Sequence, residues 1–272
     1  MQIKFDKMEG AGNDFIMIDN RSGEIPDAIK IPLAQKYCRR ALGIGADGVI
    51  IIEPDPEFDF SWDFFNADGS RGEMCGNGAR CAARYANIIG AAGKEMTFRT
   101  VAGPIAASLT DRGAKVRLTS ATLPPKKVVV DVQGRKWETW NLNTGVPHAM
   151  IEVPDLEQVD VFGLGRAIRN HQAFAPAGTN VNFFKVLGNN KIAIRTYERG
   201  VENETLACGT GSAAASIVTV MHYGLTSPVT VVTRSGEELV LHFTLGETEA
   251  DPVFLEGGAS VVFSGTFSAP TL

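Results

Sequence analysis

The sequence predicts an α+β fold of two pseudo-symmetric α/β domains, each a mixed sheet wrapped around a central helix. Two observations lead to this prediction. Cys75 and Cys208, which are 133 positions apart, each precede a glycine-rich corner and an Ala-rich segment. Short strand-like runs are also numerous, which favours an α+β fold over a doubly wound parallel sheet.

Glycines at equivalent positions extend the repeat over much of the chain. The same separation pairs Gly12 with Gly145, Gly45 with Gly178, Gly76 with Gly209, Gly78 with Gly211 and Gly103 with Gly236, and Gly90 matches Gly224 after a slip of one residue. Glycine permits positive φ and close backbone approach, so shared glycines indicate shared backbone geometry. We predict one domain over 1–118, completed by the tail 264–272, and a second over 119–263.

Hydrophobic patterning predicts the main elements of each domain. Strands are expected at 48–53, 60–65, 96–100, 181–187, 191–197, 228–233 and 238–243. Helices are expected over 75–89 and 208–223, where Gly90 and Gly224 stop them. Because both helices are Ala-rich and carry few charges, they are predicted to be buried inside the sheets. A surface helix is expected over 26–42, with a looser counterpart in 154–170.

Composition narrows the class of protein. The chain has 272 residues, 44% of them hydrophobic and 21% charged, which is typical of a globular protein with a full core. The net charge is −5, without a Lys/Arg run of the kind that binds nucleic acid. Apolar runs are too short to cross a membrane, and the start of the chain lacks a signal-peptide pattern. We therefore expect a soluble cytoplasmic protein, with neither a nucleic-acid nor a membrane partner.

Cys75 and Cys208 are the candidate catalytic residues. The positive end of a helix dipole lowers the pKa of a thiol placed there, and the first backbone N–H groups of the helix bind a carboxylate. Two such thiols on opposite sides of a carbon next to a carboxylate could invert it, one removing a proton and the other returning one. A zinc site is the next alternative, although Cys75 and Cys81 lack zinc-ligand spacing, and a redox pair is another. Cys38 and Cys81, inside helical segments, are interpreted as small buried hydrophobes.

Seven motifs identify a family resemblance. They are "GAGNDF" (10–15), "GIGADG" (43–48), "FFNADGS" (64–70), "MCGNGAR" (74–80), "GVPH" (145–148), "NVNF" (180–183) and "YERGVENETLACGTG" (197–211). Together they closely resemble the diaminopimelate epimerase family over nearly the whole chain. The resemblance implies a cofactor-independent isomerase, with neither metal nor pyridoxal phosphate, that interconverts LL- and meso-2,6-diaminoheptanedioate in lysine and peptidoglycan precursor biosynthesis. It also implies an active site in the cleft between the two domains, and a homodimer, since the family often dimerises.

The same resemblance implies roles for individual residues. Cys75 and Cys208 would be the acid/base pair, and His148 and Glu198 would tune their pKa values. Substrate would be bound by Asn13, Asn66, Gly76, Asn77, Asn182, Glu198, Arg199, Gly209 and Thr210. Some family members differ from this chain at Val146 and Gly48, which leaves substrate contacts there open.

Two other functions remain open from the sequence. A racemase of proline, hydroxyproline or another amino acid would share the fold, although such a substrate lacks the second carboxylate that Arg199 suits. A non-catalytic ligand-binding relative is the other alternative, and the presence of both cysteines argues against it.

Overall fold

The structure is a computed structural model that describes residues 1–270. It contains two compact units, one formed by Met1–Val116 with the segment that starts at Gly257, and the other by Arg117–Glu256. The α+β class is confirmed, with mixed sheets and few helices. The sequence-based boundaries at 118/119 and 263/264 stay a prediction, and residues 271 and 272 of the tail 264–272 lie outside the described residues.

The described part of the first unit contains two helices, and the elements are numbered here along the whole chain. They are β1 (Gln2–Gly10), β2 (Asn13–Asp19), α1 (Asp27–Tyr37), β3 (Gly48–Glu53), β4 (Phe60–Asn66), α2 (Gly76–Ile88), β5 (Glu95–Thr100), β6 (Gly103–Thr110), β7 (Gly113–Leu118) and, from the C-terminal segment, β18 (Ser260–Ser268). The boundary between the first unit and the second falls within β7, after Val116.

The second unit has the same kinds of element in nearly the same order. They are β8 (Ala121–Thr122), β9 (Lys126–Val132), β10 (Arg135–Asn143), β11 (Pro147–Glu152), α3 (Val161–Arg169), β12 (Asn180–Gly188), β13 (Lys191–Glu198), β14 (Asn203–Thr205), α4 (Gly209–His222), β15 (Val229–Val232), β16 (Glu238–Leu245) and β17 (Glu249–Gly257). A short 3-10 turn, Gln172–Phe174, follows α3.

Strand pairing repeats between the units. In the first, β18, β1 and β2 pair antiparallel, β2 and β3 parallel, β3 and β4 antiparallel, β4 and β5 parallel, and β5, β6 and β7 antiparallel. In the second, β9, β10 and β11 pair antiparallel, β11 and β12 parallel, β12 and β13 antiparallel, β13 and β15 parallel, and β15, β16 and β17 antiparallel. The two units therefore share one topology.

The glycine repeat has the predicted backbone basis. Gly12 and Gly145 have φ of 82° and 98°, and Gly45 and Gly178 have φ of 78° and 69°. These values lie in the left-handed region, where a side chain is strained. Equivalent glycines thus occupy equivalent turns in the two units.

The central helices are buried, as predicted. Nine residues of α2 and nine of α4 are buried, mostly alanines and other small residues. Each helix packs on strands of its own unit, α2 on β1, β2, β3 and β6, and α4 on β10, β11, β12, β13, β15 and β16. Small side chains allow this close approach of helix and sheet. None of the described helices is long and apolar enough to cross a membrane.

The surface helices are shorter than the sequence pattern predicts. The helix expected over 26–42 ends at Tyr37, and the one expected within 154–170 begins only at Val161, where Asp160 caps it. After Cys38 the chain turns, and Gly45 and Ala46 donate backbone hydrogen bonds back to the end of α1. These bonds use the last carbonyl groups of the helix, which explains its early end.

Candidate active site

Both predicted thiols occupy the residue directly before a central helix. Cys75 has φ −144° and ψ 119°, and Cys208 has φ −123° and ψ 108°, so each is extended while the next residue is helical. The carbonyl groups of Cys75 and Cys208 accept the first helical hydrogen bonds, from Ala79 and Ser212. The N–H groups of the first helical turn have no partner within a helix, which is the arrangement that binds anions.

In the first unit, Cys75 lies in a small cluster of amide groups. Its Sγ donates to Asn13 Oδ1 at 3.4 Å and accepts from the Gly78 N–H at 3.5 Å. The same Asn13 oxygen accepts from Asn77 Nδ2, also at 3.4 Å. Three of the predicted site residues, Asn13, Cys75 and Asn77, are therefore in direct contact.

Asn13 is positioned by a tight hairpin and by a carboxylate. Ala11 and Gly12 form the two-residue turn between β1 and β2, both with positive φ, so Asn13 is the first residue of β2. Its Nδ2 donates to Asp47 at 2.6 Å. Asp47 is in turn paired with Arg40 at 2.8 Å. The amide of Asn13 thus has its NH₂ group on Asp47 and its oxygen on the thiol.

Asn66 lies at the same end of the sheet, as the last residue of β4. It pairs with Gly48, the first residue of β3. Gly48 pairs in turn with Phe15 of β2, two residues after Asn13. The Asn66 side chain donates to Ser70 Oγ at 3.0 Å within a turn. A Cβ at Gly48 would lie 2.6 Å from the Phe65 carbonyl oxygen, so this chain has no room for a side chain at that position.

In the second unit, a chain of hydrogen bonds leads to Cys208. Cys208 Sγ is 3.6 Å from Thr210 Oγ1, and this hydroxyl is 3.0 Å from His148 Nε2. His148 Nδ1 is 3.1 Å from Asn182 Nδ2, and Asn182 Oδ1 accepts from Thr196 Oγ1 at 2.9 Å. Four of the predicted residues are thereby connected through side chains.

His148 is electrically neutral in this setting. It is 1% exposed, and burial, together with the positive charge of Arg199, lowers its pKa to about 3. A neutral imidazole has one donor and one acceptor nitrogen. It can therefore accept a hydrogen bond from one neighbour while it donates one to the next.

Glu198 and Arg199 lie at the end of β13. Burial raises the pKa of the Glu198 carboxyl. The Arg199 backbone N–H donates to Asn180 Oδ1 at 2.8 Å, and its guanidinium donates to the Ala177 carbonyl at 3.2 Å. Asn180 also donates to the Pro147 carbonyl at 3.2 Å, so it ties the end of β13 to the start of β11.

The other cysteines are structural. Cys38 belongs to a hydrophobic core of the first unit, where burial raises the pKa of its thiol to about 12. Cys81 is fully buried in α2. Among the described residues the four cysteines form no disulfide. The remaining histidines have local partners: His171 accepts from Ala173 N, His222 stacks on Trp140, and His242 contacts Glu256.

Sequence reasoning passed over three residues that hold the predicted ones in place: Asp47, Asn180 and Thr196. Asp47 and Asn180 lie inside two of the motifs that identified the resemblance, as neighbours of the residues chosen. Thr196 could have been found from strand alternation, because Ile192, Ile194 and Thr196 face the same buried side of β13. A hydroxyl in that position needs a buried partner, and Asn182 supplies it.

The fold defines the broad class of the protein. A phenazine biosynthesis protein of the PhzF family from Bacillus anthracis matches with a TM-score of 0.72 over 98% of this chain and 99% of its own, at 12% identity. A probable proline racemase from Agrobacterium radiobacter matches with a TM-score of 0.72 over 98% of this chain and 93% of its own, at 14% identity. The chain therefore has the same fold as these two proteins.

The family is shown by sequence. The model of the family described as diaminopimelate epimerase matches residues 5–124 and 140–260. Diaminopimelate epimerases from Aquifex aeolicus and Hydrogenobaculum are 45% and 46% identical, over 99% and 96% of this chain and 99% and 97% of their own lengths. One from Archaeoglobus fulgidus is 41% identical over 97% of this chain and 96% of its length. The chain belongs to the diaminopimelate epimerase family.

Proposed function

We propose that this chain is a diaminopimelate epimerase, which interconverts LL- and meso-2,6-diaminoheptanedioate for lysine and peptidoglycan precursor biosynthesis. The observation that carries the proposal is the repeated corner: each unit places a cysteine directly before the glycine-rich first turn of a buried helix. Membership of the family, over nearly the whole chain, supports the choice of substrate.

The reaction needs one thiolate and one thiol. Cys208, as a thiolate, removes the α-hydrogen of the LL isomer as a proton, and the electron pair of the C–H bond stays on the carbon and its carboxylate. Cys75, as a thiol, then gives a proton to the opposite face of that carbon. When the product has formed, Cys208 is a thiol and Cys75 is a thiolate. The reverse reaction exchanges these roles.

The carboxylate next to the reacting carbon is bound by the N–H groups of Gly76, Asn77, Gly209 and Thr210. Such N–H groups favour negative charge, so they bind more strongly as charge develops on the carboxylate during proton removal. This gain in the transition state lets a thiolate act as base without a metal ion or pyridoxal phosphate.

The remaining predicted residues hold the rest of the substrate. Arg199, with its planar guanidinium, binds the far carboxylate, and Glu198, Asn13 and Asn66 contact the polar groups between. Asn182 has a different role from the one the resemblance implies. It is fully buried and its amide is used by Thr196, His148 and Ala149, so we assign it to holding His148.

Turnover in heavy water, with LL-diaminopimelate and no added cofactor, tests the two-thiol mechanism. Because a thiol proton exchanges with solvent, early product should carry deuterium mainly in the newly formed epimer. Replacing either Cys75 or Cys208 by Ala should lower inversion by about 10²–10⁴-fold, the usual contribution of a positioned acid or base. The buried Cys38→Ala variant is the control and should turn over like the wild type. Proline and hydroxyproline are tested in the same assay. If the racemase alternative were right, the enzyme would invert one of these and not diaminopimelate.

One result would end the mechanism. If either single Ala variant inverts the substrate at nearly the wild-type rate, and early product keeps its original hydrogen, then a single base does both steps. Absence of any exchange into solvent with the wild type would favour the non-catalytic alternative.

The proposal also includes a cytoplasmic location and a homodimer. The four cysteines without a disulfide among the described residues support a reducing compartment. The homodimer is supported by β18, on which Val261, Val262 and Phe263 are exposed by 41%, 57% and 47%. Three consecutive exposed apolar side chains on one strand are typical of a protein interface.

A further inference from the structure

We propose that two hydrogen-bond networks of opposite direction give the reactive thiols unequal protonation before substrate binds. The chain from Thr196 through Asn182, His148 and Thr210 favours a thiolate at Cys208. The contact from Asp47 through Asn13 favours a thiol at Cys75. This inference deepens the proposed function, because it assigns the base and the acid of the resting enzyme.

The direction in the second unit is fixed at Asn182. Its Nδ2 lies 3.4 Å from the Ala149 carbonyl oxygen, and its Oδ1 receives the Thr196 hydroxyl at 2.9 Å. Reversing the amide would place two oxygens, those of Asn182 and Ala149, against each other. The orientation observed avoids this repulsion, so the Asn182 NH₂ group faces His148.

The tautomer of His148 follows. Because Asn182 Nδ2 donates to Nδ1, that nitrogen must be the acceptor and the ring proton must be on Nε2. Nε2–H then donates to Thr210 Oγ1 at 3.0 Å. Because the Thr210 oxygen already accepts from His148, we infer that its hydroxyl donates to Cys208 Sγ, 3.6 Å away. A donor that faces sulfur stabilises the thiolate and lowers the pKa of the thiol.

In the first unit the side-chain hydrogen bond at sulfur runs the other way, from the Cys75 thiol to Asn13. Asp47 accepts from Asn13 Nδ2 at 2.6 Å, so Asn13 must present its carbonyl oxygen to Cys75. Asn77 Nδ2 donates to that same oxygen, which agrees with this orientation. An oxygen 3.4 Å from sulfur accepts the S–H proton and would repel a thiolate, whereas the Gly78 N–H, 3.5 Å from the same sulfur, favours one. The Asn13 contact therefore raises the pKa of the Cys75 thiol and opposes the lowering effect of the Gly78 N–H, while Thr210 and Asn182 add no such acceptor at Cys208.

Charged and titratable groups on the surrounding elements complete the comparison. Two strands that pack against α4 carry such groups: His148 lies near the start of β11, and Glu198 is the last residue of β13. The positive charge of Arg199 lowers the pKa of His148. On the elements that pack with α2, the charged groups are Lys7 and Glu9 on β1, Asp14 on β2 and Asp47 before β3, and Arg80 lies within α2 itself; Lys7 pairs with Asp14 at 2.6 Å. Asp14 and Asp47 are both paired with Arg40, so their charges are largely balanced locally.

Alkylation of the substrate-free enzyme measures the difference directly. Iodoacetamide reacts with the thiolate, so the pH midpoint of its reaction rate, read at each cysteine by peptide mass spectrometry, gives the pKa of that thiol. The midpoint does not depend on the absolute rate, so the lower exposure of Cys208 does not affect it. We expect the Cys208 midpoint to lie about one pH unit below that of Cys75, the size of one hydrogen bond to a charged group.

Thr210→Val removes the hydroxyl at nearly constant shape, and Thr210→Ser keeps it. The Val variant should raise the Cys208 midpoint by about one pH unit, while the Ser variant leaves it near the wild type. Cys75 in the same molecules is the internal control, since its network does not include Thr210. A role of Thr210 in packing alone would not move the midpoint at a single thiol.

Two outcomes would overturn the proposal: a Cys75 midpoint at or below that of Cys208 in the wild type, or an unchanged Cys208 midpoint in Thr210→Val. The wild-type comparison stands even if the Val variant does not fold. Alkylation requires no turnover, so an enzyme inactive on diaminopimelate would refute the proposed function while leaving this measurement interpretable.

Discussion

His148 illustrates how a single buried residue connects chemistry with stability. Its pKa is about 3 in the folded protein, whereas an exposed histidine titrates near 6.5. Between these values the unfolded chain binds a proton that the folded chain does not. The free energy of unfolding should therefore fall as pH is lowered from about 6.5 towards 3, by at most ~1.4 kcal/mol per pH unit from this group, and be unaffected by it above that window.

The contribution of His148 is measured by comparing denaturant unfolding of the wild type and His148→Gln at several pH values. Gln does not titrate, so the difference in unfolding free energy between the two proteins should narrow as pH falls through the window. Parallel curves for the two proteins would show that His148 is not held neutral by the fold.

Under the proposed function, Arg199 is the residue on which substrate choice most depends. A lysine would keep the charge but could not form two parallel hydrogen bonds to the far carboxylate. Arg199→Lys should raise KM for diaminopimelate by about tenfold or more, the cost of one charge-assisted hydrogen bond. Steady-state kinetics checks this, with the exposed Arg112→Lys as the control. Unchanged kcat and KM would remove Arg199 from the substrate site.

At the scale of elements, the starts of α2 and α4 differ in how tightly they pack. A Cβ at Gly211 would lie 2.3 Å from Asn182 Oδ1 and 3.3 Å from Cys208 Sγ. At the equivalent Gly78 the nearest atom would be a flexible Ile50 methyl group at 3.0 Å. The corner at α4 therefore requires glycine more strictly than the corner at α2.

The matched pair Gly211→Ala and Gly78→Ala tests this difference. Gly211→Ala must displace Asn182 and with it His148, so we expect a loss of at least tenfold in kcat/KM and about 1–3 kcal/mol of stability, the usual cost of overpacking. Gly78→Ala should cost clearly less in both. Equal effects of the two variants would show that the Asn182 contact is unimportant.

The elements also show what could be predicted from the sequence. The strand predicted at 48–53 matches β3, and α2 and α4 start one residue after their cysteines. These predictions succeeded because an apolar run identifies a buried strand and a Cys-Gly corner identifies the start of a helix. The other strands were not predicted, since most of them mix polar and apolar side chains and are stabilised by pairing within a sheet; they are β1, β2, β6, β7, β8, β9, β10, β11, β14, β17 and β18. Thr196 and Asp47 were missed for a related reason. Their importance lies in a contact partner distant in sequence, which local pattern does not show.

At the scale of the whole molecule, the exposed apolar part of β18 predicts association of two copies. We expect the wild type to sediment as a dimer and Val262→Lys to shift it towards monomer, because a charge on an apolar interface strand opposes pairing. Val129 on β9, the equivalent strand of the other unit, is 52% exposed and gives the control Val129→Lys. A monomeric wild type, or equal dissociation in the control, would reject β18 as the interface.

The shared topology has a consequence for synthesis of the chain. The strand equivalent to β9 in the first unit is β18, which starts at Ser260, after every residue of the second unit has been translated. During synthesis the second unit can therefore complete its sheet as soon as Glu256 leaves the ribosome, whereas β1 must wait for its antiparallel neighbour. The half of the protein that carries Cys75 begins first and is finished last. Until then β1 is an open strand edge available to chaperones or to a neighbouring nascent chain.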